Sequence, residues 1–390
     1  MTQPKTKEPL VRISKRVSIP IWKAWSIRLG ALLLSLIICG IIIYSIVKLN
    51  PIKVYGAMIN GAFGTNKRLW VTIRDTMMML CIAIGLAPAF KMQFWNIGAE
   101  GQILMGASAA AACMIYFGSL PTILLLIIMF VASLLAGGVW GAIPSLFKAR
   151  WNTNEVLFTL MMNYIGIQLT SFFVAKWENP YGSNSVGIIN QASKAGWFPA
   201  LMSKGSVAAM SESVPWLGWL WNLLGQQYLL NVIIVLLLAV LMYVYLRYSK
   251  QGYEVAVVGE SENTARYAAI NVRKVIIRTM CISGAICGLA GFIAVAGASH
   301  TISTSTAGGR GFTAIIVAWL AKFNPFVMIL ISALIVFLEK GAIEIASLYQ
   351  LNDYVSSMIT GIILFFILGS EFFINYQLIF RSRKTKEVAA

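Results

Sequence analysis

This sequence predicts an all-α polytopic membrane protein, with about ten transmembrane helices and both termini in the cytoplasm. Three observations carry that fold class. Of 390 residues, 58% are hydrophobic and only 12% are charged, whereas a soluble domain carries about twice that charge. Uncharged runs long enough to cross a bilayer recur at 29–47, 121–147, 229–246, 279–299 and 354–370; a spanning helix needs about 20 apolar residues. The runs are apolar throughout and do not alternate, which selects helices over a barrel.

The elements follow in chain order. Residues 1–28 form a basic tail with Lys5, Lys7, Arg12, Lys15, Arg16, Lys23 and Arg28. A full-length span at about 29–47 follows, so the pair reads as a retained anchor and not a cleaved signal. A loop with Lys48, Lys53, Lys67 and Arg68 leads to span two, about 70–90. Span three, about 97–117, runs outward to the turn "GSLP". Span four, about 121–147, returns to the basic loop "KARWNTNE", and Glu155 opens span five, about 155–175, where a negative charge suits the helix dipole. Residues 176–227 form an external loop with Trp197, Trp216, Trp219 and Trp221; its "WLGWLW" patch is expected to lie along the headgroups. Span six, about 229–247, leads into a cytoplasmic segment, 248–277. Span seven, about 279–299, ends in the glycine-rich break "SHTISTSTAGGRGF". A short span eight reaches "AKFNP". Spans nine (about 325–339) and ten (about 354–373) complete a transmembrane domain over 29–375. A basic tail, 376–390, carries Arg381, Arg383, Lys384 and Lys386.

The formal charge of +17 comes from 31 Lys and Arg against 14 Asp and Glu. Such a balance occurs in nucleic-acid binders, but here the basic residues occupy tails and short loops. The positive-inside rule accounts for them, so the expected partner is the lipid bilayer and not nucleic acid.

Reactive chemistry is sparse. Cys39, Cys81, Cys113, Cys281 and Cys287 lie in apolar spans without CxxC spacing and behave as small hydrophobes. His300 is the single histidine and reads as an interfacial polar residue; alone it makes no histidine-based zinc site. No catalytic residue, metal site or cofactor is expected. No GxxxxGK[ST] run occurs in the sequence, so the chain has no phosphate loop of that type.

An inverted internal repeat is expected. The stretch "LPTILLLIIMFVASLLAGGVWGAI" from Leu120 matches "NPFVMILISALIVFLEKGAIEIA" from Asn324 in pattern. A glycine break precedes each, "NIGAEGQ" and "AGGRGFT", and an acidic residue opens the span after each. The offset is roughly 200–210 residues, and the first quartet of spans starts outside while the second starts inside, a construction common in transporters.

The stretch "FWNIGAEGQILMGA", 94–107, sets Asn96, Glu100 and Gln102 among Gly98, Gly101 and Gly106. At membrane depth such a cluster is tolerated only where it faces protein or a water-filled cavity. Two readings stand. Either its amides and carboxylate border a passage for a neutral, hydroxyl-rich ligand, or the break is structural, with Glu100 paired and Gln102 stitching helices. The segment "RYSKQGYEVAVVGESENTARYAAINVRKV", 247–275, is too long for a plain turn. Ser261 can cap a short helix with Glu262 in its first turn. Ala265, Ala268, Ala269 and Ile270 give that helix an apolar face beside Arg266 and Tyr267, which suits docking into a partner's groove.

In that order, "NIGAEGQ", "NEVLFTLMMNYI", "GYEVAVVGESENTARYAAINV" and "GGRGFTAIIVAWLAKFNP" resemble the membrane permease subunits of ATP-binding-cassette importers for nucleosides and simple sugars. This is the branched-chain amino acid and ribose permease superfamily, and the resemblance covers roughly residues 65–375. It implies a transport subunit of a bacterial plasma membrane that forms half of a translocation pathway. Its implied partners are a second, paralogous permease, a cytoplasmic ATP-binding-cassette ATPase and an extracytoplasmic substrate-binding lipoprotein. The implied substrate pathway touches Asn96, Gly98, Glu100, Gly101, Gln102, Asn163, Gly309 and Phe312. ATPase coupling is assigned to 248–277, through Glu254, Gly259, Glu262, Asn263, Ala265, Arg266, Tyr267 and Ile270. The long basic N-terminus and the tryptophan-rich loop depart from the family's core pattern. The residues alone leave open a secondary transporter driven by a proton or cation gradient, with Asp75, Glu100, Glu155 and Glu339 as carriers. Asp75 is otherwise expected to pair with Arg74.

Overall fold

The computed structural model describes residues 11–16, 19–48, 50–213, 215–350 and 353–380. Fifteen α-helices lie among them: α1 (Ile21–Val47), α2 (Pro51–Phe63), α3 (Asn66–Lys91), α4 (Ala99–Tyr116), α5 (Thr122–Trp151), α6 (Glu155–Lys176), α7 (Lys204–Ser213), α8 (Gly218–Leu224), α9 (Leu229–Tyr248), α10 (Lys250–Glu260), α11 (Glu262–Tyr267), α12 (Val272–Ala294), α13 (Arg310–Leu320), α14 (Pro325–Leu348) and α15 (Asp353–Asn375). Two strands, β1 (Val11–Lys15) and β2 (Tyr376–Phe380), pair antiparallel. All ten expected spans are helices. Eight of them, α1, α3, α5, α6, α9, α12, α14 and α15, are long and apolar enough to cross a membrane. The expected third and eighth spans are shorter or more polar: α4 has 18 residues and α13 only 11.

The stretch expected as a loop from Lys48 to Arg68 contains α2. Its buried Val54, Ala57, Met58 and Ala62 recur at helical spacing. The segment 248–277 is not a loop with one short helix either. It holds α10, α11 and the first turns of α12. Lys5, Lys7, Arg381, Arg383, Lys384 and Lys386 lie outside the described residues.

Small polar residues start these helices where the chain turns. Thr65, Asn154, Ser249, Ser261 and Asn271 each accept a bond from a backbone N–H in the first turn of α3, α6, α10, α11 and α12. Each satisfies an amide that the helix itself leaves unpaired.

The chain folds as two compact units, residues 1–62 with 338–390, and residues 63–337. In the first unit α1 packs on α15, Arg28 pairs with Glu371, and the Tyr55 hydroxyl donates to the Leu36 carbonyl. The Cys39 thiol faces the Ile359 carbonyl at 3.8 Å. β1 pairs with β2 with Val11 opposite Phe380.

In the second unit α12 is the central helix, packed on α3, α4 and α5. Lipid tails give no hydrophobic drive between helices, so close backbone packing must supply the attraction. Ser133, Gly137 and Gly141 on α5 face Gly284 and Gly288 on α12. A Cβ at Gly288 would stand 2.3 Å from the Ser133 carbonyl oxygen, and one at Gly284 would stand 2.3 Å from that of Gly137. The Ser133 hydroxyl also donates to the Gly106 carbonyl of α4 at 2.9 Å.

The two ends of this unit differ. At one, Lys91 donates to the Leu246 carbonyl, Lys148 pairs with Glu155 at 2.9 Å and Arg278 with Glu254 at 3.0 Å; this is the end that the positive-inside rule leads one to expect in the cytoplasm. At the other, the loop after α6 covers the ends of α4 and α12. There Asn190 donates to the Met114 carbonyl, and the Phe198 N–H donates to that of Ala296. His300 lies at this end, stacked on Trp197 with ring centroids 3.8 Å apart. Burial pushes its imidazole below the usual pKa range; a bond to Val295 opposes that shift and the charge of Arg74 adds to it. Trp216 and Trp219 of the "WLGWLW" patch are exposed.

Gly288→Ala is expected to force the helices apart at a cost of about 1–3 kcal/mol, read as a lowered melting temperature of the purified protein. Gly361→Ala on α15, where a Cβ meets nothing within 4 Å, is expected to stay within about 0.5 kcal/mol of wild type.

Candidate functional site

Between α3 and α4 the chain leaves helical geometry, and side chains replace the missing backbone bonds. Asn163 of α6 serves both edges of the break: its oxygen accepts from the Gly101 N–H at 2.8 Å, and its amide donates to the Ile97 carbonyl at 2.7 Å. Asn96 accepts from the Gly98 N–H at 3.1 Å and exchanges bonds with Gln102 at 3.1 and 3.2 Å. Its amide also donates to Ser283 of α12 at 3.0 Å. Thr159 of α6 accepts from the Ile97 N–H at 3.3 Å. Asn96, Gln102 and Asn163 are at most 2% exposed. Gly101 is required here, because a Cβ would stand 2.9 Å from the Trp140 indole nitrogen and 3.0 Å from the Met162 carbonyl oxygen.

Glu100 lies in the first turn of α4 and joins that helix to another N-terminus. Its two carboxylate oxygens accept from the N–H groups of Gly309 at 2.7 Å and Gly311 at 2.9 Å, at the start of α13. Gly308 and Gly309 both take left-handed geometry, φ +61° and +72°, which turns these amides onto one carboxylate at no steric cost. Each helix start carries about half a positive charge, so one carboxylate faces two positive ends. α13 spans about 16 Å at ~1.5 Å per residue, roughly half of a ~30 Å hydrocarbon core. Its far end, Lys322 to Asn324, shares a groove with Lys91, Leu246 and Arg247 of the cytoplasmic end. The junction therefore lies one short helix, about 16 Å, from that end.

Glu100 meets Gly309 and Gly311 across 209 and 211 residues, and the Cys81 thiol of α3 faces the Ile286 carbonyl of α12 across 205.

The segment 248–277 divides into an anchored side and an exposed rim. A Cβ at Gly259 would stand 2.2 Å from the Lys91 carbonyl oxygen. Ala265 is fully buried among Met92, Phe94, Val258, Ile276 and Met280, with Ile270 against the same cluster, and Glu254 is held by Arg278. Glu262, Asn263, Arg266 and Tyr267 point outward, Tyr267 at 94% exposure. Beside them runs a groove of about 430 Å³ whose lining includes Lys148, Arg150, Glu262, Arg266 and Arg273.

The structure thus gathers Asn96, Gly98, Glu100, Gly101, Gln102 and Asn163 into one hydrogen-bonded junction and brings Gly309 to it. Phe312 is 44% exposed one turn along α13. Ser283, Thr159 and Arg310 also belong to this region and were not singled out from sequence. Arg310 pairs with Asp75 at 3.3 Å, and Asp75 pairs with Arg74 at 2.9 Å, as expected for the latter. A polar residue inside an apolar span was the available signal for Ser283; for Arg310 it was a basic residue beside a membrane-depth glycine break.

Residues 70–368 match the family described as branched-chain amino acid transport system, permease component. The chain is 30% identical to the guanosine ABC transporter permease protein NupP of Bacillus subtilis over 317 residues, 81% of this chain and 85% of that one. It is 25% identical to the glucose ABC transporter permease protein TsgB13 of Haloferax volcanii over 370 residues, 94% and 93% of the two chains. The nucleoside ABC transporter permease protein NupB of Lactococcus lactis is 23% identical over 343 residues, 85% and 88%.

Glu100→Ala leaves two amides without their acceptor and is expected to cost about 3 kcal/mol, since a bond to a charged group contributes about 1.5–3 kcal/mol. Glu100→Gln keeps one acceptor oxygen and is expected to cost less. Thermal unfolding in detergent checks the order; equal melting temperatures for all three proteins would contradict it.

Proposed function

This chain belongs to the branched-chain amino acid transport system permease family, and on that premise we propose that it forms half of a translocation pathway for nucleosides or a related simple sugar. As a family member with eight helices, among the described residues, long and apolar enough to cross a membrane, it is the multi-pass permease subunit of an ATP-driven importer. Nothing among its relatives favours a gradient-driven secondary transporter. The 30% identity to a guanosine permease supports the nucleoside reading, and the likeness to a glucose permease keeps simple sugars beside it.

In this reading ATP is hydrolysed on a separate cytoplasmic ATPase, a second, paralogous permease completes the pathway, and a lipoprotein delivers substrate from outside the bacterial plasma membrane. Glu100 and the junction of Asn96, Gly98, Gly101, Gln102 and Asn163 frame the pathway, while Gly309 and Phe312 form part of its wall. The observation that carries the ATPase assignment is the rim of Glu262, Asn263, Arg266 and Tyr267, exposed on a segment whose other side is bolted to α3 and α12. A partner gripping that rim pulls directly on the inner ends of both helices.

Arg266→Glu combined with Tyr267→Ala is expected to lower uptake of labelled guanosine about tenfold or more in proteoliposomes holding the complete transporter, because exposed aromatic and arginine anchors dominate docking energies. Melting of the purified permease is expected to stay at the wild-type value. Wild-type uptake by this variant would falsify the docking assignment.

A further inference from the structure

On the outer side of the junction lies a cavity of about 240 Å³ between α3, the end of α12 and the irregular segment 301–309. One wall carries charge. Asp75, 2% exposed, sits between Arg74 at 2.9 Å and Arg310 at 3.3 Å. The other wall carries the hydroxyls of Thr301, Ser303, Ser305 and Thr306. Ser303 and Ser305 share a bond at 3.0 Å, and Thr306 accepts from the Ser303 N–H at 2.9 Å, so the segment is an ordered turn.

Non-helical backbone at membrane depth is stable only where it is buried in protein or lines a wet cavity. Ser305, Gly308 and Gly309 are exposed, which leaves this face wet or partnered. The chemistry of the walls narrows what binds. A carboxylate flanked by guanidinium groups sets an acceptor beside donors, and a hydroxyl both donates and accepts. Two neighbouring hydroxyls on one ring match that pattern, and the serine and threonine side chains can rotate to serve either role. The remaining lining is Met78, Ala294, Ala298 and Ser299, whose hydroxyl donates to the Ala294 and Thr301 carbonyls. Among the described residues no aromatic face lines the cavity for a base to stack on.

We propose that this cavity is a subsite for the vicinal hydroxyls of a sugar ring, either the ribose of a nucleoside or a free sugar, occupied before the substrate passes the junction. The proposal rests on the transport reading above. Thr301 and Ser305 are specificity-determining residues in it, and Asp75 and Arg310 are the fixed partners of the ring.

The test compares uptake of tritiated guanosine and of glucose, each against its dideoxy analogue lacking the neighbouring hydroxyls, by the complete transporter in proteoliposomes. The natural substrate that the wild-type complex carries identifies the source of the ring. In a Thr301→Ala, Ser305→Ala double variant, the preference for that substrate over its dideoxy analogue is expected to fall about tenfold, the effect of losing one or two hydrogen bonds. An unchanged preference overturns the proposal. So does an equal loss of both uptakes, which marks the two residues as structural. A wild-type complex that moves neither guanosine nor glucose refutes the transport reading itself, and the subsite falls with it.

Discussion

Two helix starts face each other in the middle of this protein, and Glu100 is what allows them to. Aligned peptide dipoles leave each start positive, and a medium of low dielectric magnifies their repulsion. A carboxylate in the first turn of α4 that accepts from the first amides of α13 offsets both at once. It also satisfies backbone N–H groups that lipid could not. The remaining polar side chains complete the work. Asn163 spans the break in the first half, and Asn96 with Gln102 ties it to Ser283 on α12. α13 can begin among packed helices because its start is capped from another helix.

The same junction touches both faces of the molecule through contiguous packing. Phe94, two residues before Asn96, is buried with Ala265 and Val258 of the cytoplasmic segment. Arg310, one residue from the capped Gly309, reaches Asp75 on the outer side. Contacts thus run from the buried side of α11 through apolar core to the break, and from the break to α13. In the proposed importer this is the route by which ATPase closure reaches the substrate. Such coupling needs an element with two stable arrangements, and a short helix held at its start by one carboxylate is a natural candidate for that element.

Much of the architecture was legible in the sequence because membrane spans announce themselves by composition. The ten expected spans correspond to ten helices, and the cap at Ser261 follows from residue type alone. α2 was not anticipated, since Lys48, Lys53, Lys67 and Arg68 drew attention to charge while the stripe from Val54 to Ala62 was short. The Gly284/Gly288 and Gly137/Gly141 spacings were visible, but nothing local says which helix each stripe meets. For the candidate site, the cluster from Asn96 to Gln102 stood out as polar within apolar runs. Its partners lie 62 to 211 residues away, so the choice between a stitched break and a lined passage depended on tertiary contacts. The pairing of β1 with β2 brings the two ends of the chain together, a contact no local pattern encodes.

Hydrogen exchange at the start of α13 tests the central claim most directly. In wild-type protein the amides of Gly309 and Gly311 should exchange slowly although Gly309 is exposed, and Glu100→Ala should release them while the interior of α12 stays protected. Rapid exchange of both amides in the wild type, or protection that survives the substitution, would show that Glu100 does not hold the two helices together.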